Sequence, residues 1–338
     1  MLVRGSSRKP ASIDALLDGR MMARLERLDL RSRRMFPGKL QGERRSKQRG
    51  QSVEFEDFRN YVPGDDLRFI DWNVYARLDR LFIKIFQEEQ DMALHLAIDA
   101  SASMDAGDPV PAGTERRGSA TKLEHSARLA MALGYLSLAK QNRVTVSVFG
   151  APGVRGVERL PDLRGRRAAH RLGGFLLDAL WRGRESSGSA GTRAHASGEG
   201  GGFDDALSLV AKMRVGTGVF VVLSDFMDPR GYERGLRALA TAGGYDTYCL
   251  QVLSKGELEP DPASISGDVR LLDAETGRAS EVTVTAEVVK RYKRRLADYI
   301  AQLAEFCTAR EMTHLLVRTD TPVETLVFET LRRLGMVG

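Results

Sequence analysis

The chain has 338 residues, 42% of them apolar and 28% charged, and a net charge of +6; this balance excludes wholesale disorder and leaves room for one large α/β domain with an appended region. No run of 18 apolar residues occurs, and no apolar stretch follows the basic start at residues 1–10, so neither a membrane span nor a secretory signal is expected. Two cysteines, Cys249 and Cys307, sit in apolar runs and read as buried free thiols of a cytoplasmic protein, not as a disulfide framework.

The positive charge is concentrated at the start, where residues 1–50 carry 14 Lys/Arg against 5 Asp/Glu. Within this arm, residues 13–35 place Ile13, Leu16, Leu17, Met21, Met22, Leu25, Leu28 and Leu30 at helical spacing, which predicts one amphipathic helix ended by Pro37 and Gly38. The basic stretch 31–49 reads as a solvated surface; Phe36 alone interleaves its arginines, so a nucleic-acid partner is not expected. Residues 39–90 form a second segment with a strand over 81–86.

From residue 91 onward, short apolar runs alternate with helical segments. Strands are expected at 94–98, 144–149, 219–223, 247–252 and 314–317. Helices are expected at 122–140, 168–181, 203–213, 232–242, 287–309 and 323–334. Continuous apolar strands separated by helices predict a mostly parallel sheet covered on both faces. Residues 266–285 read as an added β-hairpin turning near Glu275, Thr276 and Gly277. The stretches 107–119 and 183–202, rich in Gly with Pro or Ser, read as loops. The resulting division is a basic arm at 1–38, a segment at 39–90 and an α/β domain at 91–338.

The strand at 94–98 runs into Asp99, Ser101 and Ser103. In an open α/β sheet, ligand sites gather beyond the carboxyl ends of the strands. One carboxylate and two hydroxyls delivered there suit a hard cation such as Mg²⁺ (or Mn²⁺ or Ca²⁺), which prefers oxygen donors. The strand at 219–223 ends in Ser224 and Asp225 and offers a further carboxylate if the two strands are neighbours. Together these motifs resemble the metal-ion-dependent adhesion site of von Willebrand factor A domains, with Asp99, Ser101 and Ser103 matching Asp-x-Ser-x-Ser and Asp225 matching the later aspartate. That site also draws a threonine from a loop between the two aspartates. Residues 200–207 contain none, which leaves Asp204, Asp205 or the upstream Thr192 as substitute donors and implies weak cation binding.

Residues 57–77 include Arg59, Tyr61, Pro63, Gly64, Asp65, Asp66, Arg68, Asp71, Trp72 and Arg77. Pro63-Gly64 suits a type II turn, and arginines alternating with aspartates read as a structural network of ion pairs. Followed by the Asp-x-Ser-x-Ser strand, this segment resembles bacterial proteins of domain-of-unknown-function family 58. The resemblance implies a von Willebrand A-like, Rossmann-like fold and a partnership with a MoxR-type AAA+ ATPase or its client protein. Many such proteins carry N-terminal membrane helices, and this chain reads as a shorter soluble form. No catalytic activity is implied.

No nucleophile–base arrangement or nucleotide-binding glycine motif stands out, and His95, His125, His170, His195 and His314 are scattered. The expectation is therefore a non-enzymatic, cation-dependent protein-interaction module. The alternatives are a metal-dependent hydrolase on the same acidic edge and a nucleic-acid binder working through the basic arm.

Overall fold

The computed structural model describes residues 9–32, 55–63, 65, 67–86, 92–105, 107, 121–182, 184, 202–260, 267–272 and 279–338. The chain divides into two compact units, residues 36–91 and the remainder.

In the smaller unit, β1 (Phe55–Asn60) pairs antiparallel with β2 (Phe82–Phe86), and Ile70 bridges to Ile83 with both side chains buried. Asp71 caps α2 (Trp72–Leu78) by accepting the amides of Asn73 and Val74 at 2.9 and 3.2 Å, which satisfies two otherwise orphaned donors. Asp65 accepts the Val62 amide at 2.9 Å. Arg59 lies in β1, Arg68 in a 3₁₀ turn at Leu67–Phe69, and Arg77 in α2. Tyr61 and Pro63 lie between β1 and that turn, while Gly64 and Asp66 fall outside the described residues. Trp72 is 61% exposed and meets Tyr75 edge-on.

The larger unit is built on a six-stranded sheet. Its strands are β3 (Met92–Asp99), β4 (Arg143–Phe149), β5 (Val157–Leu163), β6 (Thr217–Ser224), β7 (Tyr245–Leu253) and, further along the chain, Thr313–Arg318. A separate hairpin joins β8 (Gly267–Leu272) to β9 (Ala279–Val284), its turn lying outside the described residues; the strand at Thr313–Arg318 is therefore β10. The sheet order is β10-β7-β6-β3-β4-β5, parallel except for β5. This is an α/β fold of Rossmann-like kind.

Both faces are apolar because the side-chain period of a strand is two. On β3, Leu94, Leu96 and Ile98 join one core; Ala93 and Ala97 join the other. The first core is covered by α1 (Gly19–Leu25), α3 (Lys122–Ala139) and α4 (Ala169–Trp181). The second is covered by α5 (Phe203–Met213), α6 (Glu233–Thr241) and α8 (Ala286–Thr308). Cys249 on β7 and Cys307 on α8 are free, buried in that second core and hydrogen-bonded to each other.

Four elements differ from expectation. The helix over 13–35 is instead a 3₁₀ turn (Ile13–Ala15) followed by the short α1, because Asp18 caps a new start by accepting the Met21 amide. Beyond α1, Leu30 forms a bridge with Val337. The edge strand β5 went unpredicted: it carries Pro161 and three charged residues, a composition that edges tolerate and central strands do not. The four-residue α7 (Lys255–Leu258), closed by a Ser254–Glu257 capping box, is too short to show periodicity. The last helix is α9 (Val323–Thr325), which continues as a π-turn at Leu326–Leu331.

Candidate functional site

Chain order reverses across the sheet between β3 and β6: β4 and β5 lie on one side of β3, while β6, β7 and β10 lie on the other. The carboxyl ends at such a reversal leave a crevice that no crossover helix fills. β3 delivers Asp99 there, and β6 delivers Ser224 and Asp225.

Each carboxylate is held by its own loop and by the neighbouring one. Asp99 Oδ1 accepts the Ser101 amide at 2.9 Å, and its Oδ2 accepts the Ser224 hydroxyl at 2.6 Å. Asp225 Oδ1 accepts the Met227 amide at 3.0 Å, and Ser103 donates its hydroxyl to the same carboxylate. Ser101 and Ser103 hydroxyls are 3.1 Å apart. The two loops are thus hydrogen-bonded across the crevice in both directions.

The backbones that carry these groups are clamped from below. Arg184, buried, donates to the carbonyls of Ala100 and Ser101 at 2.8 and 3.0 Å and to Asp105 at 2.9 Å. Gln251 on β7 donates to the Asp225 carbonyl at 3.1 Å. Phe226 has φ of +59°, a left-handed conformation that costs a non-glycine residue energy. It is buried, and its amide takes the Ser224 hydroxyl oxygen at 2.9 Å. Gly150, at the end of β4 with φ of +73°, lies where a Cβ would come within 3.1 Å of both Asp99 Oδ1 and the Ser101 nitrogen; only glycine leaves the Asp99 carboxylate that room.

A cation already belongs to the cluster. Lys122, the first residue of α3, is 1% exposed and extends its Nζ to Asp225 Oδ2 at 2.8 Å and Glu257 Oε1 at 2.7 Å. Glu257 Oε2 in turn accepts the Ser254 amide and hydroxyl at 2.8 and 2.9 Å. Two carboxylates, Asp225 and Glu257, therefore share one ammonium. Burial works to raise the Asp225 carboxyl, but the Lys122 charge together with the hydrogen bonds from Lys122, the Met227 amide and Ser103 holds the group below the ordinary range. Burial, with the Asp225 charge beside it, pushes Asp99 up to about 7.

Of the other expected donors, Asp204 accepts the amides of Gly235 and Arg234 at 2.7 and 3.3 Å, and Asp205 pairs with Arg234. Both side chains are engaged in joining α5 to α6. Thr192 lies outside the described residues. The groups whose chemistry suits a hard cation are Asp99, Ser101, Ser103 and Asp225. No group of three or more His, Cys, Asp and Glu side chains with metal-holding geometry occurs among the described residues, so hydroxyls and water would have to complete any ligand set here. Lys122, Glu257, Arg184 and Gln251 escaped the sequence reading: the partners of Lys122 lie 103 and 135 residues away, and a lone lysine at a helix start reads as a solvated side chain.

Fold and crevice together define an α/β protein of the doubly wound class with a buried acid–hydroxyl cluster at its switch point. A profile described as "Protein of unknown function DUF58" matches residues 57–302, and the chain belongs to that family. An uncharacterized protein of Mycobacterium bovis is 28% identical over 324 residues, 95% of this chain and 92% of that protein. One of Mycobacterium avium is 31% identical over 124 residues, 36% of this chain and 70% of that protein. Among solved structures, the conserved hypothetical protein BatB of Bacteroides thetaiotaomicron aligns with a TM-score of 0.40 at 15% identity, covering 72% of this chain and 98% of its own. An aerotolerance-related membrane protein of Bacteroides fragilis aligns with a TM-score of 0.35 at 18% identity, covering 67% and 90%. At that distance these two structures say nothing about function. No helix among the described residues is long and apolar enough to cross a membrane.

Proposed function

We propose that the chain is a non-enzymatic interaction module whose switch-point crevice takes one hard divalent cation, Mg²⁺ foremost, and offers it to a carboxylate of a partner protein. The observation that carries this reading is the convergence of Asp99, Ser101, Ser103 and Asp225 from two neighbouring strand ends. The donor set fits such an ion on chemistry and on charge. Every group is an oxygen donor, and since Asp225 and Glu257 already share a single ammonium, an ion that displaced the Asp99 proton would meet a net negative cluster. Asp99, Ser101 and Ser103 would hold the ion, with Asp225, whose charge Lys122 already balances, contributing through water. The cation would supply an exchangeable position for an outside carboxylate; the protein supplies rigidity, through Arg184 and Gln251.

The family resemblance to proteins associated with MoxR-type AAA+ ATPases makes such an ATPase, or its client, the partner this reading favours. Two buried free thiols suit a cytoplasmic setting. The test is titration with Mg²⁺ and luminescent Tb³⁺, read by melting temperature and by sensitised emission, followed by partner capture with and without EDTA. Native protein should gain at least several degrees at saturation and capture its partner only with Mg²⁺, while Asp99→Ala should do neither. Capture unaffected by both EDTA and Asp99→Ala would end the proposal.

A further inference from the structure

The helix that supplies Lys122 to the crevice also walls a second concavity. The first turns of α3 contribute Glu124, His125 and Arg128 to a cleft of about 300 Å³, faced by Asp14 and Asp18 before α1 and by residues 319–324 after β10. That volume is at the lower end of what ligand pockets enclose.

Two features coincide at this cleft. The first is polar atoms without partners. His125 and Thr319 both line it and are 3% and 4% exposed, yet neither His125 Nε2 nor Thr319 Oγ1 has a hydrogen-bond partner among the described residues. Buried polar atoms are ordinarily satisfied. His95 meets Ser147 at 3.0 Å and His314 meets Gln251 at 3.1 Å, as that rule requires. The second feature is charge. Asp14, Asp18, Glu124, Asp320 and Glu324 line the cleft against one cationic side chain, Arg128. Asp320 is engaged by Arg318, and Asp18 caps α1; Asp14 and Glu324 form no ion pair among the described residues.

We propose that this cleft binds a primary ammonium or guanidinium group. Burial, aided by the Arg128 charge and opposed by that of Asp320, lowers the His125 pKa to about 4, so at neutral pH the ring is uncharged and one nitrogen is an acceptor. Thr319 adds a hydroxyl acceptor, and Asp14 and Glu324 add negative charge at the rim. A group that brings several N–H donors and one positive charge matches all four. An anion would face five carboxylates, and a neutral apolar ligand would leave the buried polar atoms as they are. The same chemistry is carried by a free polyamine and by a lysine or arginine side chain of a partner, and the experiment separates the two.

Calorimetric titrations at low salt would use spermidine, N-acetyl-argininamide, N-acetyl-lysinamide and the uncharged N-acetyl-citrullinamide, with histidine ring resonances followed by NMR. Saturable binding of the cationic probes, a shift of the His125 ring signals and no binding of the citrulline control are expected. Tighter binding of spermidine would identify a polyamine site; tighter binding of the capped amino acids would identify a side-chain site. Asp14→Asn combined with Glu324→Gln, both outside the core, should weaken the preferred probe at least tenfold without moving the melting temperature. Absence of saturable binding, binding with unmoved His125 signals, or equal affinity in the double variant would each overturn the proposal. None of these residues belongs to the Asp99 cluster, so the outcome is independent of whether that cluster holds a cation.

Discussion

Lys122 and His125 lie one turn apart on α3, and both are almost wholly buried, yet their surroundings are opposite. Lys122 has each of its two carboxylate partners within 2.8 Å, and those carboxylates are themselves held by amides and hydroxyls. His125 keeps a ring nitrogen without a hydrogen-bond partner among the described residues and stays uncharged instead. The contrast teaches that burial of an ionisable group has two outcomes. Where a counter-charge is in direct contact, the ion survives; where burial and a like charge such as Arg128 prevail, the group gives up its charge. The first arrangement is rigid and internally balanced, and the second is complementary to something from outside.

The severest way to break this comparison is Lys122→Met, which keeps the side-chain volume and strands Asp225 and Glu257 without their ammonium. Unfolding by denaturant should show a loss of about 3–5 kcal/mol, and adding Asp225→Asn and Glu257→Gln should restore most of it. A loss below about 1 kcal/mol would mean that the pair is not the internal balance described here.

Next in size is the pH behaviour of Asp99. In the unfolded chain it ionises near its ordinary 3.8, whereas in the fold it keeps its proton to about 7. Between these limits the folded state binds more protons, so without added cation the group's contribution falls as pH rises from about 4 to 7. Measured against Asp99→Asn, which cannot ionise, the native protein should lose up to about 4 kcal/mol across that window. Saturating Mg²⁺ should shrink the difference, and a pH-independent difference would contradict the raised value.

His125 should run the other way. Its unfolded form takes up a proton near 6.5 and its folded form resists to about 4, so its contribution is complete above pH 6.5 and lost as pH falls through 4. Relative to His125→Asn, the native protein should lose up to about 3 kcal/mol over that interval. Equal acid sensitivity in the two proteins would show that the ring is not held neutral.

Smallest is the exposed ion-pair group of Arg318 with Glu259 and Asp320, at 2.7 and 2.9 Å. Arg318→Gln should change stability by less than about 1 kcal/mol, and less still in salt. A larger loss would show that ion pairs at the rim of this sheet edge are not screened as surface pairs ordinarily are.

The parallel strands were legible because both faces of the sheet are covered, which writes each strand as an unbroken apolar run. Asp99 and Asp225 were legible as candidates because each follows such a run directly. What could not be read was the balance around them. Lys122 meets Asp225 and Glu257 only once β3, β6 and β7 are neighbours, and Glu257 sits on a single turn of helix with no periodicity to announce it. Asp204 and Asp205 read as substitutes for the absent threonine; in the fold their side chains engage Arg234 and the Gly235 amide, where α5 packs on α6. In the arm, Asp18 outweighed the continuous apolar spacing, since a side chain that caps a helix start also ends whatever precedes it.

One further consequence follows from Cys249 and Cys307, which face each other where α8 lies on the sheet. Neither sulfur is reachable from solvent while that helix is seated; the hydrogen bond between them, with burial, raises the Cys249 thiol, and the same bond lowers that of Cys307. A small alkylating reagent therefore finds no target in the closed molecule. The pace at which these two sulfurs become labelled is a clock for how often the long helix lifts away from its seat.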